Sequence, residues 1–368
     1  MDYQVRFINP QRHFNLYGKE FMRVLNDRLA NGKLILQEDV TEFEAHIAEM
    51  CGTKYAIGVN SGFDALRLSL EALGIKEGDE VITVAHTFLA SISAIVKTGA
   101  TPVLLDVGED WNMNVSEIEK RISKRTKAII PVHLNGRMCD MEGIMAIAKK
   151  YDLFVIEDAC QSLTASFKKR KAGAWGVTGC FSFYPFKILG AFGEAGAITT
   201  NNVKIAQKLI LLRYHGVDRT PARRIHCYGW NAVLDNIQAA ILNVKIKYFP
   251  KWIERRREIA SMYERGLSNI KNLKLPHFHQ SQYHDVYQNY VIQTKKRNAL
   301  KKFLEEKGVQ TLISWPMPIY RHKELNLPAR PLPQTERICK EVLSLPLYPE
   351  LTNKEITSVI NHIHRFYR

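Results

Sequence analysis

No run of about 18 apolar residues occurs anywhere in the 368-residue sequence, which leaves no room for a membrane-spanning helix. The opening stretch, MDYQVRFINPQRHFNLYG, lacks the charged-then-apolar layout of a secretory leader. Cysteine is sparse. The six residues Cys51, Cys139, Cys160, Cys180, Cys227 and Cys339 are scattered and none sits in a CxxC pair. That argues against a disulfide frame or a zinc site and for reduced thiols in a cytoplasmic protein. Internal repeats and low-complexity tracts are also missing. There is no zinc finger and no RNP-like strand to accompany the formal net charge of +15. The lysines and arginines are spread over helical segments among acids, as in a basic soluble enzyme that attracts an anionic substrate, so no nucleic-acid partner is expected. The densest basic run, Arg255-Arg256-Arg257, lies in an amphipathic helix and reads as a solvated face.

Hydrophobic residues make up 46% of the chain, ample for a packed core, and the length suits a large domain plus a smaller one. Apolar spacing predicts helices over 18–31 and 38–50. A regular alternation follows. Strands read at 55–59, 80–84, 101–107, 127–133 and 153–159, with helices through 65–73, 89–97, near 115–123 and at 141–150. This alternation implies βαβ units and a mostly parallel sheet covered by helices on both faces. Ligands of such sheets sit beyond the carboxyl ends of the strands. Asn60-Ser61-Gly62, Thr87-Phe88, His133 and Asp158-Ala159-Cys160-Gln161 stand at those ends. Beyond residue 200 the reading is of long helices at 203–214 and 233–267. A small α/β unit then contains 288–294, a helix at 297–307, 309–315, a helix at 334–343 and a terminal helix at 353–366. The polar stretch 276–285 reads as an irregular loop.

Four stretches could carry chemistry. VNSGFDAL (59–66) is a strand, a glycine turn and a helix start, whose backbone N–H groups suit a phosphate; a plain structural turn has the same pattern. VIEDACQS (155–162) ends a strand on Glu157-Asp158. A buried carboxylate there needs a partner such as a cationic ring nitrogen, unless Asp158 merely caps the next turn. CFSFYPFKILGAFGEAGAITT (180–200) holds a single lysine, Lys187. Its neighbours Pro185, Phe186 and Ile188 would favour a depressed pKa and Schiff-base chemistry; the alternative is a surface lysine in a glycine loop. GWNAVLDNIQAAIL (229–242) places Asn231 just before a helix.

Taken together, a strand-end Asp, a Gln three residues later and Ser-Phe-Tyr-Pro-x-Lys further on form a specific arrangement. It resembles the fold-type-I pyridoxal-5'-phosphate (PLP) enzymes, and within them the DegT/StrS family of nucleotide-sugar aminotransferases. The resemblance runs from NSGFDALRLSL through TKAIIPVHLNG, LRYHG (212–216) and NIQAAIL to LSLPLYPEL (343–351). It implies a large PLP-binding domain over 1–248, with a seven-stranded-type sheet, and a small C-terminal domain over 249–368. It further implies that Lys187 forms the Schiff base with PLP and moves the proton, and that Asp158 pairs with the ring nitrogen. Gln161 would reach the ring hydroxyl and Phe88 would stack on the ring. Gly62 and Phe63, through backbone N–H groups, and Ser182 would hold the phosphate. Asn231 would reach the phosphate of a neighbouring subunit, implying a homodimer with shared sites.

The implied reaction is a two-half transamination with pyridoxamine phosphate between the halves. It takes an amino group from a donor, glutamate, to a nucleotide-linked keto sugar, at C3 rather than C4 on the form of Ser-Gly-Phe-Asp-Ala-Leu. The setting would be the biosynthesis of a surface polysaccharide, such as an O-antigen, or of a glycoconjugate. Four departures stand out. Phe63 replaces a common Thr, Asn231-Ala232-Val233 lacks a common arginine, and Pro318-Ile319-Tyr320 with His322 replaces Pro-x-His. The family's HLYG reads His133-Leu134-Asn135-Gly136. Rival readings are a sugar dehydratase of the same fold, a non-catalytic regulator or scaffold, and a nucleic-acid binder. Lys187 speaks against the dehydratase, which carries histidine there, and the intact Asp158, Gln161 and Lys187 speak against the scaffold.

Overall fold

Short β-branched runs bounded by turn residues make the strands of this computed structural model, and amphipathic segments between them make the helices. The structure describes residues 3–276, 280–328 and 330–368. Helix α1 (Pro10–Ala30) begins earlier than the predicted residue 18. Asn9 caps it by accepting from the Arg12 N–H, and Pro10 stands at a position where no N–H is needed. Then come α2 (Glu38–Cys51), β1 (Tyr55–Val59), α3 (Gly62–Ala72), β2 (Glu80–Val84), α4 (Leu89–Lys97), β3 (Thr101–Leu105), β4 (Thr126–Ile129), α5 (Met141–Lys150) and β5 (Phe154–Asp158). This is the predicted alternation with one correction. The helix expected at 115–123 is two single 3-10 turns, Val115–Glu117 and Glu119–Arg121, the first capped by the Asn114 side chain.

The glycine- and aromatic-rich stretch after β5 also holds strands. A small hairpin, β6 (Ser166–Phe167) and β7 (Arg170–Lys171), precedes β8 (Thr178–Ser182) and β9 (Gly196–Thr200). The main sheet runs in the order β1-β9-β8-β5-β4-β2-β3. All its pairings are parallel except the two made by β9, which is antiparallel to β1 and β8. Asp158 pairs in register with Cys180, so the carboxyl ends of β5 and β8 lie side by side. Gly196 lets the start of α3 approach β9: a Cβ there would stand 2.4 Å from the Ser61 carbonyl carbon.

Helices α6 (Val203–Leu212), α7 (Asn236–Ile246) and α8 (Phe249–Leu267) follow. The single helix predicted over 233–267 is therefore two. Residues Val233 and Asp235 bridge to Val59 and Ile35 in extended form, and Pro250 starts α8 afresh after a break at Lys247-Tyr248. In the last third, β10 (Tyr283–His284) adds to β6, so the predicted loop 276–285 ends in a strand; residues 277–279 of it lie outside the described residues. Strand β11 (Tyr290–Gln293) pairs antiparallel with β12 (Val342–Leu345), alongside α9 (Arg297–Glu306), α10 (Pro333–Glu341) and α11 (Asn353–Tyr367). Helix α10 stops before the predicted 343 because the chain turns into β12. Residues 309–315 make only isolated bridges, Val309 to Val5 and Leu312 to Ser344.

Burial divides into clusters. One, including Phe43, Ile82, Leu105 and Phe181, underlies one face of the main sheet; another, with Leu66, Leu68, Ile95 and Leu209, underlies α3, α4 and α6. A third gathers Tyr263, Tyr290, Leu300, Leu343 and Ile356 with Val5 from the far end of the chain. Val5 is laced in by main-chain bonds from its N–H to Gly308 and from Gln310 back to it, and Arg12 pairs with Glu355. The Arg255-Arg256-Arg257 run corrects its sequence reading. Arg256 is buried and donates to the carbonyls of Tyr287 (3.0 Å) and Leu347 (3.1 Å), while Arg257 donates to the Asp285 carbonyl at 2.7 Å. Among the described residues, no helix is long and apolar enough to cross a membrane.

Candidate active site

Successive residues of a strand point to opposite faces, so Glu157 and Asp158 at the end of β5 serve different environments. Glu157 is fully buried and accepts from the N–H groups of Gly173 (2.9 Å), Trp175 (2.7 Å) and Gly176 (2.8 Å). His133 Nε2 lies 3.0 Å from it, and the Cys139 N–H donates to His133 Nδ1 at 3.2 Å. Nδ1 is thus the acceptor and Nε2 carries the proton toward Glu157. His133 stands after a strand, as expected, yet it is committed to this structural knot.

Asp158 is buried on the other face, 5% exposed. Its Oδ2 accepts from Ser91 Oγ at 2.7 Å, and Ser91 is bonded in turn to Thr87 Oγ1 at 2.9 Å. Its Oδ1 receives only the Cys160 N–H at 3.3 Å. No lysine, arginine or histidine of the described residues is ion-paired to it. A carboxylate buried with so few donors is costly unless a cation completes it. The N–H of a pyridinium ring is a donor of that kind.

Two predicted residues, Gly62 and Ser182, meet beside Cys160 at the end of β8. Ser61 caps α3 by accepting from the Asp64 N–H. A Cβ on Gly62 would stand 2.7 Å from Ser182 Cβ and 2.8 Å from Cys160 Sγ, so only glycine lets the helix start lie against the end of β8. Burial pushes the Cys160 thiol well up; the Asp158 charge adds to this and the Lys187 charge opposes it. Helix-start N–H groups beside a serine suit a phosphate, and a buried carboxylate on the strand next to a lysine-bearing loop suits an aldehyde-bearing cationic ring. The donor set fits PLP.

Lys187 itself sits half-buried in a tight turn, its N–H donating to the Tyr184 carbonyl at 2.8 Å. Gly190 packs so close that a Cβ would meet the Pro185 carbonyl oxygen at 2.4 Å. Helix α7 grips the far end of this loop. Gln238 Oε1 accepts from the Phe192 N–H at 2.9 Å, and buried Lys245 donates to the Gly190 carbonyl beneath the Phe192 ring, 4.3 Å from its centroid. Burial lowers the Lys245 pKa to about 8.

Gln161 Oε1 accepts from the Asn135 N–H at 2.7 Å, which leaves its Nε2 as a donor. Phe88 immediately precedes α4 and shows 62% of its surface, next in the chain to Thr87, which is bonded to Ser91. Phe63 packs its side chain along α3, 6.0 Å from the Arg67 guanidinium. Asn231 is exposed; the next residue, Ala232, accepts from the Asn60 N–H at 2.9 Å, and the helix after it starts at Asn236 rather than at 233. Its neighbour Trp230 is held by Glu71 at 2.7 Å and stacked under Arg67 at 3.8 Å. Sequence reasoning missed Ser91, Gln238 and Lys245; no local signal marks them, since each acts across a tertiary contact.

Comparison with known proteins agrees with this geometry. The model of the DegT/DnrJ/EryC1/StrS aminotransferase family matches residues 15–364. A Geobacillus stearothermophilus protein named pleiotropic regulatory protein is 39% identical over 370 residues, 99% of either chain. The dTDP-3-amino-3,6-dideoxy-alpha-D-galactopyranose transaminase of Aneurinibacillus thermoaerophilus is 41% identical over 360 residues, 96% of this chain and 98% of that one. The crystal structure of S. venezuelae DesV in complex with a ketimine intermediate is similar at a TM-score of 0.96 and 34% identity, covering 100% of this chain and 99% of the other. The chain belongs to the DegT/DnrJ/EryC1/StrS aminotransferase family and is, with it, a PLP-dependent sugar aminotransferase.

Proposed function

We propose that this chain moves an amino group from L-glutamate to C3 of a keto sugar carried on a nucleotide, in the building of a surface polysaccharide or another glycoconjugate. The observation that carries the reading is a buried carboxylate with few donors, Asp158, at the end of a strand paired with the one that leads into the Lys187 loop. The C3 position is supported by the name of the Aneurinibacillus relative, a 3-amino-sugar transaminase. The net charge of +15 favours an anionic nucleotide diphosphate.

PLP, when bound, supplies the electron sink that makes the donor's Cα proton removable. The chain's residues do the rest. The Gly62 and Phe63 N–H groups and Ser182 bind the phosphate. Asp158, oriented by Ser91, takes the ring N–H and keeps that nitrogen protonated. Gln161 donates through Nε2 to the ring hydroxyl, and Phe88 covers a ring face. Lys187 Nζ takes the proton from the donor Cα in the first half and returns one to the sugar carbon in the second. Asn231 serves the phosphate of a second copy, so the working form is a homodimer with two shared sites. The division of labour falls near residue 248, with 1–248 holding the cofactor and 249–368 forming the smaller C-terminal part.

The test is a spectrum followed by a label. Purified protein with PLP should show a band near the visible edge that moves to shorter wavelength with L-glutamate, and borohydride should fix the cofactor on Lys187. The loaded protein should then aminate a 3-keto nucleotide sugar in preference to its 4-keto isomer. A colourless, unlabelled protein would sink the enzyme reading. It would leave the regulatory role that the name of the Geobacillus relative suggests.

A further inference from the structure

The loop carrying Lys187 is held by side chains from outside it, and one of them brackets the lysine. Gln288 Nε2 donates to the Phe186 carbonyl at 3.0 Å, and the Ile188 N–H donates to Gln288 Oε1 at 3.0 Å. One carboxamide thus binds the residue before Lys187 and the residue after it. The amide orientation is unambiguous, because a main-chain N–H can only donate and a carbonyl can only accept. A pair of bonds of this kind fixes the two peptide planes from which the lysine side chain springs.

Gln288 is itself anchored. Arg256, buried in α8, donates to the Tyr287 carbonyl at 3.0 Å. The Val286 N–H donates to the Gly136 carbonyl at 2.9 Å, and Gly136 lies so close that a Cβ would meet the Gln288 nitrogen at 2.7 Å. Asn289 Nδ2 donates to Asn135 Oδ1 at 3.3 Å, and Asn135 is the residue whose N–H holds Gln161. The segment 286–289, which leads into β11, therefore touches the supports of both Lys187 and Gln161, from 100 or more residues away in sequence.

We propose that Gln288 is the positioning residue for Lys187: it fixes the backbone on both sides of the lysine, so that Nζ stays aligned for cofactor capture and proton transfer. This rests on the reading of Lys187 as the Schiff-base lysine. Catalytic alignment is steep in distance, and a misplacement of about 1 Å can cost on the order of 100-fold in rate. Without Gln288 the turn keeps its internal Lys187–Tyr184 bond and the grips of Gln238 and Lys245, so the loop stays closed while the lysine loses its aim.

Three variants test this. Gln288→Met keeps the shape and removes both bonds. Gln288→Glu keeps the acceptor for Ile188 and sets a carboxylate against the Phe186 carbonyl. Gln238→Met removes a grip on the same loop at Phe192 and serves as the control. The first readout, on apo-protein, is hydrogen exchange at the Ile188 amide. The second is the rate of PLP capture at Lys187, and the third is the single-turnover half-reaction with L-glutamate, resolved into its limiting rate and half-saturation concentration. Gln288→Met should speed Ile188 exchange about tenfold. It should slow capture and lower the limiting rate by roughly 10- to 100-fold, with half-saturation nearly unchanged. Gln288→Glu should keep Ile188 protected and lose less rate. Gln238→Met should expose Phe192 and leave the limiting rate within about threefold. A Gln288→Met protein with the wild-type limiting rate would overturn the proposal. So would an equal loss in Gln238→Met, because loop rigidity in general would then be the cause. Should Gln288→Met fail to fold, a Gln288→Glu protein that keeps Ile188 protected but loses as much rate as Lys187 variants do would overturn it too. Failure of the underlying reading looks different: wild-type protein would carry no borohydride label on Lys187.

Discussion

Glu157 and Asp158 are neighbours on one strand and differ in almost everything else. Glu157 meets three main-chain N–H groups and a histidine, so its charge is fully answered inside the fold. Asp158 meets one hydroxyl and one long N–H contact, and no lysine, arginine or histidine of the described residues is ion-paired to it. The first stitches the 173–176 loop to the sheet and belongs to stability. The second is a buried carboxylate with few donors, an arrangement that suits a cationic ring and that a stable core avoids. The same carboxylate chemistry, turned through one residue of pleat, serves opposite ends.

The sharpest way to break this contrast is at Lys187. Lys187→Ala should reduce transamination to background with melting temperature unchanged, checked by turnover and by thermal unfolding; wild-type turnover would remove Lys187 from the reaction. Next comes an exchange of losses between the two carboxylates. Glu157→Gln should cost about 3 kcal/mol of stability, because an amide turned toward N–H donors replaces a charged acceptor, as read by denaturant unfolding. Asp158→Asn should leave apo-protein stability the same or slightly higher, weaken PLP binding and lose most activity. Equal destabilisation by both would erase the distinction drawn here.

Lys245 sharpens the comparison with a buried cation. Its pKa is about 8 in the folded chain, lowered by burial and partly restored by Glu350, against an ordinary value of 10.5. Between those values the unfolded chain binds the extra proton, so this group makes stability rise with pH across about 8 to 10.5, by at most roughly 3 kcal/mol. Lys245→Met should flatten that rise in pH-dependent unfolding; an unchanged slope would rule the lysine out as its source. The smallest effect is expected at Ser91. Ser91→Ala should lower the half-reaction rate about three- to tenfold by loosening the Asp158 carboxylate, with little change in stability.

Much of the frame was legible in sequence because it is local. Short apolar runs at a regular interval gave away β1 to β5 and the helices α3, α4 and α5 between them, and the rule that ligands gather at strand ends pointed to Gly62, Asp158 and Gln161. Strands β8 and β9 were hidden by glycines and aromatics selected for close packing rather than for alternation. The pleat says that Glu157 and Asp158 face opposite ways, but which face holds the donors depends on residues 173–176 and on Ser91, far apart in the chain. Arg256 looked like part of a solvated run because its carbonyl partners lie elsewhere in the sequence.

The lacing of Val5 to Gly308 and Gln310 has a consequence in time. Phe7 binds the Gln310 side chain across 303 residues of sequence, and during synthesis those residues emerge one after another. At typical elongation rates the interval is roughly 15 to 60 s. Through that interval the segment around Val5 has no mate, and over its last third the main sheet already has all its strands. The segment around Val5 therefore stays unzipped, open to chaperones and proteases, until residues 308–310 arrive to fasten it.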